Sequence, residues 1–358
     1  MKYFFFVQGE GRGHLSQAIT LKDKLESRGH QVTAVFVGIN PTRKIPEFFS
    51  TRLGLTPEII SGPVWASGKN NKRVSASRTI IKTILSLPKW RSSLKKILRK
   101  IKEENPDALI NFYEPLSSWQ HVFVNRKKPF FIIGHQFMSG HPIFDFPKKH
   151  YFGKYSFLFY NFLLTRGKVK KIALSFTEEP DLQKNNLFVC PPLIKKEILE
   201  AKPQRDDYSL TYFLNHGYSE EIISWCQKNP NSLVEAFCDH DYSQETVPRN
   251  LHFHLINDQA FARALSNCAS YASTAGFESI CEAAYLDKDI LMVPTQNHYE
   301  QLTNAIDAKR AGIANSADHF DFNLITEEQK TQFQKNREIF KNWVNRENNK
   351  IFEILENL

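Results

Sequence analysis

Residues 256–305 read INDQAFARALSNCASYASTAGFESICEAAYLDKDILMVPTQNHYEQLTNA, and this stretch decides the fold. Ala269–Ala272 and Ile290–Val293 are short apolar runs of strand type. Between them Phe277, Ile280, Cys281, Ala284 and Tyr285 recur at helical spacing and make one buried face. The turn Ser273-Thr274-Ala275-Gly276 is built of small residues. It exposes backbone N–H groups at the start of the helix, and such a terminus can cradle a diphosphate. Glu278, Ser279 and Glu282 follow in the first turns. A carboxylate there can accept both hydroxyls of a ribose, and solvated helix acids are the plain alternative. After the second strand, Pro294 opens a loop through His298. Glu300, Gln301 and Asn304 then lie on a helix edge facing the same crevice, where amides and carboxylates suit pyranose hydroxyls. Strand, turn, helix, strand, turn, helix is the pattern of a parallel sheet.

The chain opens on the same pattern. Tyr3–Val7 is a continuous apolar run, as expected of a strand covered on both faces. Gly9-Glu10-Gly11-Arg12-Gly13-His14 forms a tight loop, and a helix is expected from His14 to Arg28, with Leu15, Ala18, Ile19, Leu21 and Leu25 on its buried face and Gly29 as C-terminal cap. Gln31–Val37, Ala108–Phe112 and Phe130–Ile133 are further strands. The glycine loop is not a dinucleotide fingerprint, because position 14 is His and no acid ends the second strand. It is not a Walker loop either, and a plain strand-to-helix turn stays open. His14, on the first helical turn, is disfavoured as an imidazolium and suits a general base, or equally a capping residue. Glu114, which follows a strand at the same crevice, is a second candidate base.

Length 358 suits two domains. Cys190-Pro191-Pro192 marks the boundary, giving an N-terminal domain over 1–192 and a C-terminal domain over 193–358. Beyond it, Leu210–Leu214, Leu233–Phe237 and Leu251–Ile256 are expected strands. Ser61–Ser77 reads as a long loop, followed by a basic helix interrupted at Pro88. Glu327–Leu358 reads as one helix that can return to the first domain. The fold class is α/β, with two Rossmann-like parallel sheets facing a cleft. Ligands of such pairs bind at the carboxyl ends of the strands.

The net charge is +9, and Lys69–Lys102 alone carries twelve Lys or Arg without an acid. Lys148–Lys171 carries seven more, around the aromatic run Tyr155–Leu164. Aromatic helices flanked by cations suit contact with an anionic membrane surface, and a core helix with solvated flanks is the alternative. No nucleic-acid motif accompanies the charge. The five cysteines show no metal-ligand spacing and read as buried thiols of a reducing compartment. No signal peptide or run of 18 apolar residues is visible, so a cytoplasmic location is expected, with peripheral attachment to the inner face of the cell membrane as a refinement.

Taken together, the turn at Ser273–Gly276, the Glu282 helix and the Glu300-Gln301-x-x-Asn304-Ala305 string resemble the donor-binding half of GT-B glycosyltransferases of the family-28-like type. This group includes the peptidoglycan N-acetylglucosaminyltransferase and the plastid diacylglycerol galactosyltransferase. The loop Gly9–His14 is similar to the glycine loop of that group, and PDALINFYEP and FFIIGHQ look like elements of an uncharacterised bacterial and archaeal branch. That branch typically has Asp where this chain has Asn111 or Phe112.

The resemblance implies transfer of a hexose or N-acetylhexosamine from a nucleotide-sugar, expected to be a UDP-sugar, to an acceptor hydroxyl. The reaction would invert the anomeric carbon, with no metal and no cofactor beyond the nucleotide-sugar co-substrate. The expected acceptor class is lipid or lipid-linked. The resemblance implies that Leu255 and Ile256 contact the base and that Thr274, Ala275 and Gly276 hold the phosphates with Gly11 and Gly13. Asn215, His216 and Gly217 line the diphosphate side, Glu282 binds ribose, and Glu300, Gln301 and Asn304 bind the sugar. His14 is the acceptor-side residue. A nucleotide-sugar 2-epimerase or a non-catalytic nucleotide-sugar-binding protein of the same fold are the competing functions.

Overall fold

The computed structural model describes residues 1–39, 44–62, 76–123, 127–214, 216–324 and 327–357. The first half runs β1 (Lys2–Gln8), α1 (Arg12–Ser27), β2 (Gln31–Gly38), α2 (Glu47–Leu53), β3 (Glu58–Ile60), α3 (Ala76–Glu104), β4 (Ala108–Phe112), α4 (Pro115–Phe123), β5 (Phe130–Gly134), α5 (Tyr151–Leu164), β6 (Lys170–Leu174) and β7 (Leu187–Cys190). The second half runs α6 (Lys196–Leu199), β8 (Asp206–Tyr212), α7 (Ser219–Lys228), β9 (Val234–Cys238), β10 (Leu251–Leu255), α8 (Asp258–Asn267), β11 (Cys268–Ser273), α9 (Phe277–Tyr285), β12 (Asp289–Met292), α10 (Tyr299–Arg310), β13 (Asn315–Ser316), α11 (Glu327–Arg346) and α12 (Lys350–Glu356).

The strands form two sheets, ordered β3-β2-β1-β4-β5-β6-β7 and β10-β9-β8-β11-β12-β13. All pairings between these strands are parallel. In each sheet the order reverses beside the first strand, so β1/β4 and β8/β11 open a crevice at their carboxyl ends. Tyr3 to Val7 are fully buried because β1 is central and covered on both faces.

Three expectations change. The helix α3 runs on through Pro88 instead of stopping there. Proline forfeits one backbone hydrogen bond, which a long helix absorbs. Strands β3, β6, β7 and β13 were not foreseen, and β6 begins with Lys170 and Lys171, half-buried, with the Lys170 ammonium 5.3 Å from the Phe131 ring centre. The tail is two helices, α11 and α12, rather than one. Most of the expected loop 61–77 lies outside the described residues, as do residues 69–75 of the basic window. Part of that window is neutralised on α3, where Lys96 pairs with Glu58 at 2.9 Å and Lys100 with Glu104 at 2.5 Å.

The chain end returns to the first sheet. The Tyr3 hydroxyl donates to the Leu355 carbonyl at 3.3 Å, and Arg28 and His30 hold Glu356 at 3.2 and 3.0 Å. All five cysteines are free and buried.

Candidate active site

The site is built where two loops meet across the cleft. Gly9–Gly13 leaves β1, and Thr274–Gly276 leaves β11. Gly9 packs against β2 so closely that a Cβ there would lie 2.8 Å from Val37 Cγ1. Its N–H donates to the Gly38 carbonyl at 2.8 Å. The N-cap residues of α1 and α9 are Gly11 and Gly276, so neither supplies a capping side chain. A Cβ at Gly11 would meet nothing, and one at Gly276 only the Ser279 hydroxyl at 4.0 Å. Two open helix N-termini thus face one another, an arrangement that favours an anion between them. Ala275 takes φ 58, a left-handed conformation that costs energy for alanine, and its carbonyl accepts from Asn304 Nδ2 at 3.0 Å.

A hydrogen-bond chain spans the gap. Gln17 Nε2 donates to Glu278 Oε1, so Gln17 Oε1 is left to accept from His14 Nδ1, 3.2 Å away. That polarity places the proton of neutral His14 on Nδ1 and the lone pair on Nε2. The ring stacks on Tyr113, centres 5.5 Å apart. Burial lowers the His14 pKa, against the pull of the Glu300 carboxylate. The Glu278 carboxyl is pushed up to about 7 by burial, opposed by its own backbone N–H and Gln17 and reinforced by Glu282 and Glu300. A Cβ at Gly13 would fall on that carboxyl, so any larger residue there would have to displace the Glu278 side chain.

The residues expected on the sugar side are held in place by partners. Gln136 Nε2 donates to Glu300 Oε1 at 2.8 Å from across the cleft, and the Thr295 N–H donates to Gln301 Oε1 at 2.8 Å. His298 caps α10, its Nδ1 accepting the Gln301 N–H at 3.4 Å. Glu282 is buried and ion-paired with Lys195 at 3.2 Å. Burial lowers the Lys195 pKa but Glu282 more than offsets it, so the ammonium stays charged beside the expected ribose position. His216 and Gly217 form the turn before α7, with His216 Nε2 3.9 Å from Asp239. Leu255 is exposed at the end of β10. The Ile256 N–H donates to the Cys238 carbonyl at 3.0 Å. Asn215 lies outside the described residues.

Glu114 does not face the crevice as a base. It is fully buried behind Gly38 and Gly62, and its two oxygens accept the Leu116 and Ser117 N–H groups at 2.9 and 2.7 Å. It caps α4. Asn111 completes this cap: its Nδ2 donates to Ser118 Oγ at 2.9 Å, and its Oδ1 accepts the Glu114 N–H at 2.6 Å. Asn111→Asp removes the donor and sets a second carboxyl beside Glu114. We expect it to cost about 1–3 kcal/mol, read as a lower urea midpoint at unchanged m-value.

Sequence reasoning missed Gln17, Tyr113, Gln136 and Lys195, and considered Glu278 only as one of the carboxylates that could meet a ribose. Gln17 stands one turn after His14 on α1, the one local signal available. Two Asp-x-Asp spacings were also passed over. Asp287 and Asp289 are ion-paired to the buried Arg337 at 2.7 and 3.3 Å. Asp239 and Asp241 lie exposed after β9, with Asp241 accepting the Ser243 N–H at 2.9 Å.

Two parallel α/β halves with opposed glycine-capped helices across a cleft define the GT-B class of glycosyltransferases. The chain belongs to the family described as Glycosyl transferase family 1, whose model matches residues 1–331. It is 24% identical over 339 residues to an uncharacterized glycosyltransferase of Methanosarcina mazei, covering 87% of this chain and 85% of that one. Acinetobacter baumannii MurG has the same fold, with TM-score 0.56 at 15% identity, covering 97% of this chain and 99% of that one. So does Phytolacca americana UGT2 complexed with UDP-2fluoro-glucose and pterostilbene, with TM-score 0.60 at 12% identity and coverage of 95% and 94%.

Proposed function

We propose that the protein transfers a hexosyl or N-acetylhexosaminyl group from a UDP-sugar to a hydroxyl of a lipid or lipid-linked acceptor, with inversion. The observation that carries this reading is the pair of open helix N-termini, Gly11/α1 and Gly276/α9, with His14 in the first turn of α1. The bound UDP-2fluoro-glucose of the Phytolacca relative supports the choice of donor.

The chemistry follows from the polarity of the His14–Gln17–Glu278 chain. His14 Nε2 takes the proton of the acceptor hydroxyl while the oxygen bonds to the anomeric carbon from the face opposite the leaving group. The bond from that carbon to the phosphate oxygen breaks, and the electron pair leaves with the nucleoside diphosphate. The N–H groups at the starts of α1 and α9 receive the growing negative charge. Gln17 keeps the imidazole in the tautomer that can accept. Glu300, Gln301 and Asn304 orient the sugar. Departure of the diphosphate is assisted by helix termini here, so transfer should proceed at full rate in excess EDTA. Activity abolished by EDTA and restored by Mg²⁺ or Mn²⁺ would assign that role to a bound metal instead.

The test is incubation of the full chain with UDP-glucose, UDP-galactose and their N-acetyl forms, with a bacterial lipid extract as acceptor source. Release of UDP with a new glycolipid of inverted configuration is expected. Conversion of the donor to an epimer without transfer would replace this reading with the isomerase one.

A further inference from the structure

The outer face of α5 is out of keeping with a helix facing water. Tyr151, Phe152, Tyr155, Phe159 and Phe162 are 68, 77, 66, 61 and 55% exposed. At 3.6 residues per turn these positions fall within an arc of about 100°, one continuous stripe. Ile143, in the preceding loop, is 38% exposed. Exposed aromatics in such a stripe mark a contact surface.

The opposite face is spoken for. Phe157 packs on Tyr299, ring centres 5.6 Å apart, and Gly153 leaves room for the Tyr299 side chain, where a Cβ would lie 2.7 Å from its Cδ2. Asn161 accepts the Tyr113 hydroxyl at 2.7 Å and donates to the Gln136 carbonyl at 3.1 Å. Tyr113 is the ring stacked on His14. The inner side of α5 is therefore a wall of the site, and its outer side lies one helix diameter away, about 10 Å.

Charge says what covers the stripe. Lys148, Lys149 and His150 at the start of α5, and Arg166 and Lys168 at its end, are exposed. No acid occurs from Phe146 to Thr177. The Lys154 ammonium lies 4.4 Å from the Phe146 ring centre and the Arg166 guanidinium 5.3 Å from that of Phe162. An apolar stripe rimmed by cations at both ends matches the interface of an anionic bilayer, with rings at the acyl boundary and cations on the headgroups. A second protein would need a complementary acidic rim, and a second copy of this surface would set cations against cations, with the exposed Asp145 the single acid in residues 143–177.

We infer that α5 docks the enzyme flat on an anionic membrane surface, which brings the acceptor side of the cleft to the headgroup plane. The inference deepens the proposed lipid acceptor but rests on the α5 surface alone, so vesicle binding can hold while transfer to lipid fails, and the reverse.

The test is co-sedimentation of the full chain with vesicles of phosphatidylcholine and of an equal mixture of phosphatidylcholine and phosphatidylglycerol, at low and high salt. Binding to the anionic vesicles, weakened by salt, is expected. The combined Phe152→Ser, Phe159→Ser and Phe162→Ser variant should bind at least about tenfold more weakly. Lys148→Gln and Lys149→Gln should each cost about fivefold. All these positions are exposed, so the variants should unfold at the wild-type temperature and keep UDP binding. Failure of the wild type to sediment with anionic vesicles, or equal binding by the triple-serine variant, overturns the inference. A dimer that the triple-serine variant abolishes, without vesicle binding, would give the stripe to a second copy.

Discussion

His14→Ala is expected to lower kcat by about 10²–10⁴-fold, the usual contribution of a positioned general base. Binding of the nucleotide-sugar should stay within a few-fold of wild type, because the imidazole is engaged with Tyr113 and Gln17 and supplies none of the backbone N–H groups proposed to hold the diphosphate. The loss should fall in kcat and kcat/KM alike. Gln17→Ala should be milder, since a neutral imidazole without its Nδ1 partner still spends part of its time in the productive tautomer. Burial holds the His14 pKa below its usual value. The acid limb of the kcat/KM profile should therefore lie below about pH 6.5 and vanish in His14→Ala, which leaves only residual rate. An alanine variant with near wild-type kcat would remove His14 from the chemistry.

Glu278→Gln is expected to abolish the pH dependence of nucleotide-sugar binding. In the empty site the Glu278 carboxyl lies over the start of α1, beside the position proposed for the diphosphate. Its pKa is about 7, raised first by burial. Below that value it is neutral and a diphosphate enters without like-charge repulsion. Above it, affinity for UDP-glucose should fall by up to about tenfold per pH unit, and the glutamine variant should show a flat profile. Stability follows the same group with a definite sign. A carboxyl whose folded pKa lies above its ordinary 4.5 holds its proton more tightly in the folded state. Stability is then withdrawn as pH rises between 4.5 and about 7, and the withdrawal is complete above that window. Glu278→Gln should accordingly raise Tm at about pH 8 and leave it nearly unchanged at about pH 4.5. Equal UDP-glucose affinity for the wild type on both sides of pH 7 would show that Glu278 does not meet the phosphates.

Local periodicity carried most of the fold. Tyr3–Val7, the Leu15–Leu25 face and the small-residue turn before α9 are short-range signals, and each element formed where it was expected. Strand β6 hid behind Lys170 and Lys171, whose long stems can lie along apolar surface while their heads reach water. The position of Glu114 after β4 was legible, but its direction was not. Gly38 and Gly62, far away in sequence, close over the carboxyl, and the N–H groups of α4 take both its oxygens. Gln17 and Glu278 are 261 residues apart, and Lys195 reaches Glu282 from the linker. No period or motif pairs such residues; only the packing of one half on the other does.

The central claim is that a nucleoside diphosphate sits between the starts of α1 and α9. Titration of the full chain with UDP by calorimetry, repeated on Gly276→Val, tests it most directly. Gly276 has an ordinary φ of −73 and open space at its Cβ, so valine should fold unchanged while filling the phosphate position. A single UDP bound per wild-type chain, with affinity at least about tenfold weaker in Gly276→Val at unchanged Tm, is the predicted result. Equal binding by the two proteins, or no binding of UDP, GDP or dTDP to the wild type, would contradict the account.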